Sequence, residues 1–155
     1  MGAYSQRCGL AAPADAGHRG KTMNKETERL IASAKEAREL SYCPYSNKSV
    51  GAAILTDSGR IYKGANIENA SFGATVCAER AALITALMSG EHSFCAMAIE
   101  GGERGEAAEG FFTPCGICRQ VLAEFCSKDF KIYVSSCSGV KELTLGELLP
   151  EAFSL

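Results

Sequence analysis

"SVGAAILTDSGRIYKGANI", residues 49–67, decides how the rest of the chain is read. Two apolar runs, "SVGAAIL" and "RIYKGANI", flank the polar stretch "TDSG". Runs joined this closely predict a β-hairpin, with Gly59 supplying a positive φ that a side chain would resist. Helical patterns lie on either side. In "NKETERLIASAKEAREL", Leu30, Ile31, Ala34, Ala37 and Leu40 fall near one helical face with charges opposite, and the helix must stop before Pro44. After the loop "NASFGATV", the run "CAERAALITALM" is apolar on most sides, which predicts a central buried helix ending at Gly90. Then come a buried strand in "FCAMAIEGG", a polar loop in "ERGEAAEGFF", a helix in "CGICRQVLAEFC" and a strand in "FKIYVSS". The tail "TLGELLPEAF" holds a short helical turn stopped by Pro150.

The order is therefore α, β-hairpin, α, β, α, β, which predicts an α/β domain. Strand–helix–strand units imply parallel neighbours with right-handed crossovers. Helices should cover the faces of one mixed sheet of roughly four or five strands. The chain has 155 residues, 46% of them apolar, enough for a single domain with a real core.

Several classes are disfavoured by composition. Net charge is -2 and no block of lysines and arginines stands out, so nucleic acid is not expected as the main ligand. No apolar run approaches the roughly 20 residues that span a bilayer. Residues 1–22 have neither a signal-peptide core nor periodicity; they read as a disordered extension that takes His18 with it, leaving 23–155 as the folded domain. Eight cysteines without a secretion signal, beside a core that needs no staples, point to a reducing cytoplasm. Cys43, Cys95, Cys126 and Cys137 read as core or surface thiols, His92 as a surface residue, and Tyr42 and Tyr45 as packing groups. Gly51 and Gly73 read as points of close backbone approach.

"TPCGICRQ", residues 113–120, leaves two chemistries open. Cys115 and Cys118 at a helix start suit a redox-active dithiol or a metal site. A third cysteine, Cys77, begins the other central helix, and the preceding strands should end on the same side of the sheet. Helix N-termini favour thiolate, the form that binds zinc. Three thiolates without an obvious fourth ligand suit a catalytic zinc that keeps one position for water. They also leave the site negative, and Arg80, in the same helical turn as Cys77, is placed to compensate. Glu79 is placed beside the metal without ligating it, where a carboxylate can take a proton from water and pass it on.

"CAERAAL" followed by "PCGICRQVLAEF" resembles the cytidine deaminase family, the small zinc enzymes of free nucleosides, and the general zinc-deaminase pattern includes a three-cysteine variant with a non-ligand glutamate. "CPYSNKSVGAAI", "GANIENASFGATVCAER" and "LLPEAF" extend the likeness from Leu30 to Phe153. The resemblance implies a three-layer α-β-α fold and one zinc ion per subunit. It implies hydrolytic deamination of cytidine or deoxycytidine in pyrimidine salvage, with Glu79 serving as base and then acid. By the same likeness Asn66 and Glu68 hold ribose hydroxyls, while the backbone at Ala78 and the Glu79 side chain read the pyrimidine edge. Phe153 would reach a neighbouring subunit's site in a homotetramer, while Phe72, read from the residues themselves as a packing group like Tyr42 and Tyr45, is the one of the three placed to face the substrate. Lys48 departs from the pattern, because the family commonly places an aromatic there; a solvent-pointing Lys48 or a modified nucleoside substrate would each account for it. Competing readings are a dithiol oxidoreductase, a non-catalytic zinc module, and an antibiotic- or polynucleotide-deaminating relative.

Overall fold

Asn24 opens the first helix of the computed structural model, which describes residues 23–154. Its side-chain oxygen accepts from the Thr27 amide at 2.8 Å and so satisfies one of the orphan donors of helix α1, Lys25–Arg38. The other elements are β1 (Lys48–Thr56), β2 (Ile61–Ala65), α2 (Ala78–Met88), β3 (Phe94–Glu103), α3 (Gly116–Phe125), β4 (Lys131–Ser136), β5 (Gly139–Thr144) and the short α4 (Leu145–Leu148). The expected extension, residues 1–22, lies outside the described residues.

The strands form one mixed five-stranded sheet in the order β2-β1-β3-β4-β5. β1 and β2 make the expected hairpin, and Gly59 turns it at φ 78°. Only β3 and β4 are parallel neighbours. The crossover through α2 does not deliver one, since β1 lies antiparallel between β2 and β3. β2 and β3 nevertheless run the same way, so both hand the chain on at the same end of the sheet.

Alternation along the strands builds two cores. Ala52, Ile54, Met97, Ile99, Ile132 and Val134 meet Ala78, Ala82, Leu83 and Ala86 of α2 and Leu122 of α3. On the other face Ala53, Leu55, Ala96 and Ala98 meet Leu30 and Ala34 of α1. Period-2 strands buried on both faces give the three layers. A buried Arg38 joins them at one end. Its Nε donates to the Ser49 carbonyl and hydroxyl, and its Nη2 to the carbonyls of Glu103 and Glu106. Its Nη1 stands 3.7 Å from the buried Glu100 carboxylate.

Several expectations are corrected. Leu40 is 70% exposed because α1 ends at Arg38. Ile84 and Met88 of α2 are exposed, so that helix is buried on one side only. Tyr42 and Tyr45 are exposed rather than packed. The sheet has five strands, within the expected number, but the sequence patterns place none at 139–144; the first four residues of β5 are exposed, and a strand at a solvated sheet edge has no apolar alternation to read. Cys95 is disulfide-bonded rather than a reduced thiol. Gly51 is a close approach, where a Cβ would overlap the Ala34 carbonyl and the Arg38 amide of α1, but at Gly73 a Cβ would meet nothing. Gly64, not anticipated, lets α2 approach β2 in the same way at Ala78 and Ala82.

Gly51→Ala is therefore expected to destabilise the fold by about 1–3 kcal/mol or more in denaturant titration. Gly73→Ala is expected to leave the midpoint unchanged.

Candidate active site

Cys77 is the N-cap of α2 and Cys115 the N-cap of α3, both with extended backbone and neither with a side-chain capping bond. Their sulfurs are therefore free to point away from the helices. Cys77 Sγ lies 3.8 Å from Cys115 Sγ, and Cys115 Sγ lies 3.5 Å from Cys118 Sγ. All three sulfurs lie within 4.8 Å of one another, and all three cysteines are unbridged. A tetrahedral zinc with bonds of about 2.3 Å holds its sulfurs about 3.8 Å apart. The cluster fits that ion. Among the described residues this is the one group of three or more cysteine, histidine or acidic side chains with ligand spacing, and His92 is not in it.

The charges around the cluster agree. Cys77 is held well below the usual thiol range, at about 5, first by a hydrogen bond from Cys118 and then by Arg80, against the cost of burial. Cys118, fully buried, is pushed upward by its partnership with the Cys77 thiolate and by burial. A bound cation supplies the charge that lets the remaining thiols ionise. Burial lowers the affinity of Arg80 for its proton, but contacts with the sulfurs of Cys77 and Cys118 more than offset this and raise its pKa. Its Nη2 donates to the Thr75 carbonyl at 2.7 Å, while its Nε is buried without a partner. That unspent donor on the cluster's own helix is what a negatively charged metal–thiolate group would call for. Glu79 is buried, 5% exposed, and burial lifts its pKa to about 6, with the Cys77 thiolate adding to the rise. Near neutrality such a carboxyl both takes and returns a proton readily.

Asn66 and Glu68 stand next to this cluster through the backbone. The Ile67 amide and carbonyl exchange hydrogen bonds with Val76, the residue before Cys77, at 2.9 and 3.0 Å. On the other side the Tyr42 amide donates to the Asn66 carbonyl, and the Glu68 amide to the Tyr42 carbonyl. Both side chains are buried and already partnered. Asn66 Oδ1 accepts from the Val50 amide at 2.8 Å, and its Nδ2 donates to the Lys48 carbonyl at 2.9 Å. Glu68 Oε2 accepts from the amides of Tyr45 and Ser46. Contact with Ser46 leads the effects that hold the Glu68 carboxyl below its ordinary range.

The other expected residues divide. Ala78 is fully buried in the first turn of α2, beside Cys77. Phe72 is exposed on a single 3-10 turn, Phe72–Ala74. Phe153 is 67% exposed, with its carbonyl held by Gln120 Nε2 at 3.0 Å, so within one chain most of the residue stands in solvent. Lys48 points to solvent and pairs with Glu103, its register partner across β1 and β3. Of the two explanations offered for Lys48, this placement matches the first. Sequence reasoning missed Arg119, which binds the backbone around Cys115; its partner at Leu148 is 29 residues away and leaves no local signal.

Residues 24–134 match the family described as the cytidine and deoxycytidylate deaminase zinc-binding region. The chain is 46% identical over 130 residues to a cytidine deaminase of Sporosarcina psychrophila, covering 83% of this chain and 92% of that one. It is 45% identical over 130 residues to a cytidine deaminase of Halalkalibacterium halodurans, covering 83% and 95%. A crystal structure of cytidine deaminase from Burkholderia pseudomallei superposes with a TM-score of 0.75 at 41% identity, covering 84% of this chain and all of that one. Fold and sulfur cluster thus define a zinc-dependent deaminase. The chain belongs to the cytidine and deoxycytidylate deaminase family.

Cys118→Ser is expected to bring zinc content well below one ion per chain in metal analysis of the purified protein. Cys126→Ser, at a thiol that burial pushes up to about 12 and that lies outside the cluster, is expected to leave zinc content unchanged.

Proposed function

We propose that the chain is a cytidine deaminase that converts cytidine or deoxycytidine and water to the uridine product and ammonia. One observation carries this reading: three sulfurs from two helix starts with zinc spacing, beside the buried carboxyl of Glu79. In this reading Cys77, Cys115 and Cys118 hold the zinc ion, and residues 23–155 form the catalytic domain. When bound, zinc supplies Lewis acidity that makes water a nucleophile near neutral pH.

Glu79 performs the proton transfers. It takes a proton from the attacking water and delivers it to ring N3, which leaves C4 electron-poor. After oxygen adds to C4, Glu79 carries the second proton to the exocyclic nitrogen, which departs as ammonia while the C4 carbonyl forms. One carboxyl thus acts as base and then acid, and burial keeps it from exchanging protons with bulk water. Arg80 offsets the charge of the thiolates. The backbone at Ala78 and the Glu79 side chain read the pyrimidine edge. Asn66 and Glu68 take the ribose hydroxyls with the polar capacity their internal bonds leave open.

The working assembly in this reading is a homotetramer with shared sites. The exposed Ile84 and Met88 of α2, Ile117 of α3 and Phe153 support it, being large apolar groups that a single chain leaves in water. Phe153 then reaches a partner's pocket, and Phe72 joins the substrate cover. In this reading the enzyme works in pyrimidine salvage in the cytoplasm, with neither nucleic acid nor membrane as partner. Among the described residues no helix is long and apolar enough to cross a membrane.

Glu79→Gln is expected to keep one zinc ion per chain and lose roughly a hundredfold to ten-thousandfold in kcat, followed by the ultraviolet change on cytidine deamination. Wild-type turnover by that variant would remove Glu79 from the mechanism. Phe153→Ala is expected to raise KM for cytidine by up to about tenfold with kcat nearly unchanged, the signature of lost binding contacts. Unaltered kinetics would return Phe153 to a packing role.

A further inference from the structure

Cys118 is fully buried on α3, but Cys115 is exposed and caps its helix with no side-chain bond to the helix amides, its sulfur meeting the other sulfurs of the cluster. Its position depends on the turn that delivers it. Arg119 braces that turn. Its Nε donates to the carbonyl of Pro114 at 2.7 Å, the residue immediately before Cys115, and its Nη2 reaches the Thr113 hydroxyl at 3.4 Å. Its Nη1 donates to the Leu148 carbonyl at 2.8 Å, at the end of α4. The chain beyond Leu148 continues over the same region, held by Lys128 Nζ on the Pro150 carbonyl and Gln120 Nε2 on the Phe153 carbonyl, both at 3.0 Å. A planar guanidinium can serve three acceptors in fixed directions, whereas an ammonium cannot reproduce the fork. Pro114 is fully buried, so removing the guanidinium strands its carbonyl.

We propose that Arg119 is a positioning residue for the metal: it fixes the Thr113–Cys115 turn in ligating geometry and couples it to the C-terminal strap, residues 148–153. The inference rests on the ligand assignment made above. Coupling of this kind is reciprocal. Zinc steadies the strap, and the strap, through Arg119, slows the loss of zinc. Because the same strap carries Phe153, the metal also sets how firmly that residue is presented.

The test uses the zinc-loaded full chain. Zinc transfer to an excess of a chromogenic chelator is timed for the wild type, Arg119→Ala and Arg119→Lys. Hydrogen exchange of residues 145–154 is followed in loaded and zinc-stripped protein. Arg119→Ala is expected to release zinc at least about tenfold faster, the scale on which groups that orient metal ligands act. Arg119→Lys should fall closer to the alanine variant than to the wild type. Stripping zinc should speed exchange in the wild-type strap, whereas the strap of Arg119→Ala should exchange fast in both states. The inference is overturned if Arg119→Ala, or Arg119→Lys where the alanine variant does not fold, releases zinc at the wild-type rate. It is equally overturned if the wild-type strap exchanges alike with and without zinc. Zinc content below one ion per chain in the wild type would instead sink the ligand assignment itself.

Discussion

Two helix N-termini that meet at one end of a sheet would repel each other through their partial positive charges. In this chain the ends of α2 and α3 meet across a cluster of three sulfurs, and most of the site follows from that arrangement. Thiolates between the two ends relieve the repulsion, and a divalent ion among the thiolates relieves theirs in turn. Cys77 and Cys115 are 38 residues apart, so a metal held by both closes a long loop. The sheet makes the meeting possible. Because β1 separates β2 from β3 and runs against both, the chain leaves β2 and β3 at the same end and enters α2 and α3 side by side.

Everything else near the cluster is tied to it by short covalent or hydrogen-bonded paths. Glu79 and Arg80 follow Cys77 within one helical turn, so the helix itself sets their distance from the metal. Asn66–Glu68 is sewn to Val76 on one side and to Tyr42 on the other. Cys115 is reached through Pro114, whose carbonyl Arg119 holds. The site is thus built on helix starts and braced backbone rather than on long side chains. Such construction keeps reacting groups within the narrow tolerance that catalysis demands.

What could be read from the sequence were the features with a short period. The hairpin, α2, α3 and β3 announce themselves by alternation or by helical spacing, and the cysteine triad by its place at two helix starts. The three-layer arrangement followed from element order together with the family likeness. What escaped depends on contacts far apart in the chain. β5 borrows its conformation from β4 and shows no apolar face of its own. Leu40, Ile84 and Met88 look like core residues by type, yet α1 ends before the first, and the exposed side of α2 holds the others. Gly51 could be recognised as a point of contact and Gly64 could not, since nothing local says which helix will lie across which strand. Arg119 looks like an ordinary surface cation until the chain end 29 residues later folds back onto it.

The internal bonds of Asn66 and Glu68 carry one more implication. Each holds part of the scaffold with one portion of its polar side chain and leaves another portion unspent. Hydroxyl groups arriving there would find acceptors and donors whose rotamers were frozen when the chain folded, so little mobility remains to be surrendered on association. Alanine at these positions would therefore remove scaffold bonds and spare polar capacity together, whereas Glu68→Gln, whose amide oxygen can still accept from the Tyr45 and Ser46 amides, changes the unspent portion alone; Asn66→Asp would instead set a carboxylate oxygen against the Lys48 carbonyl.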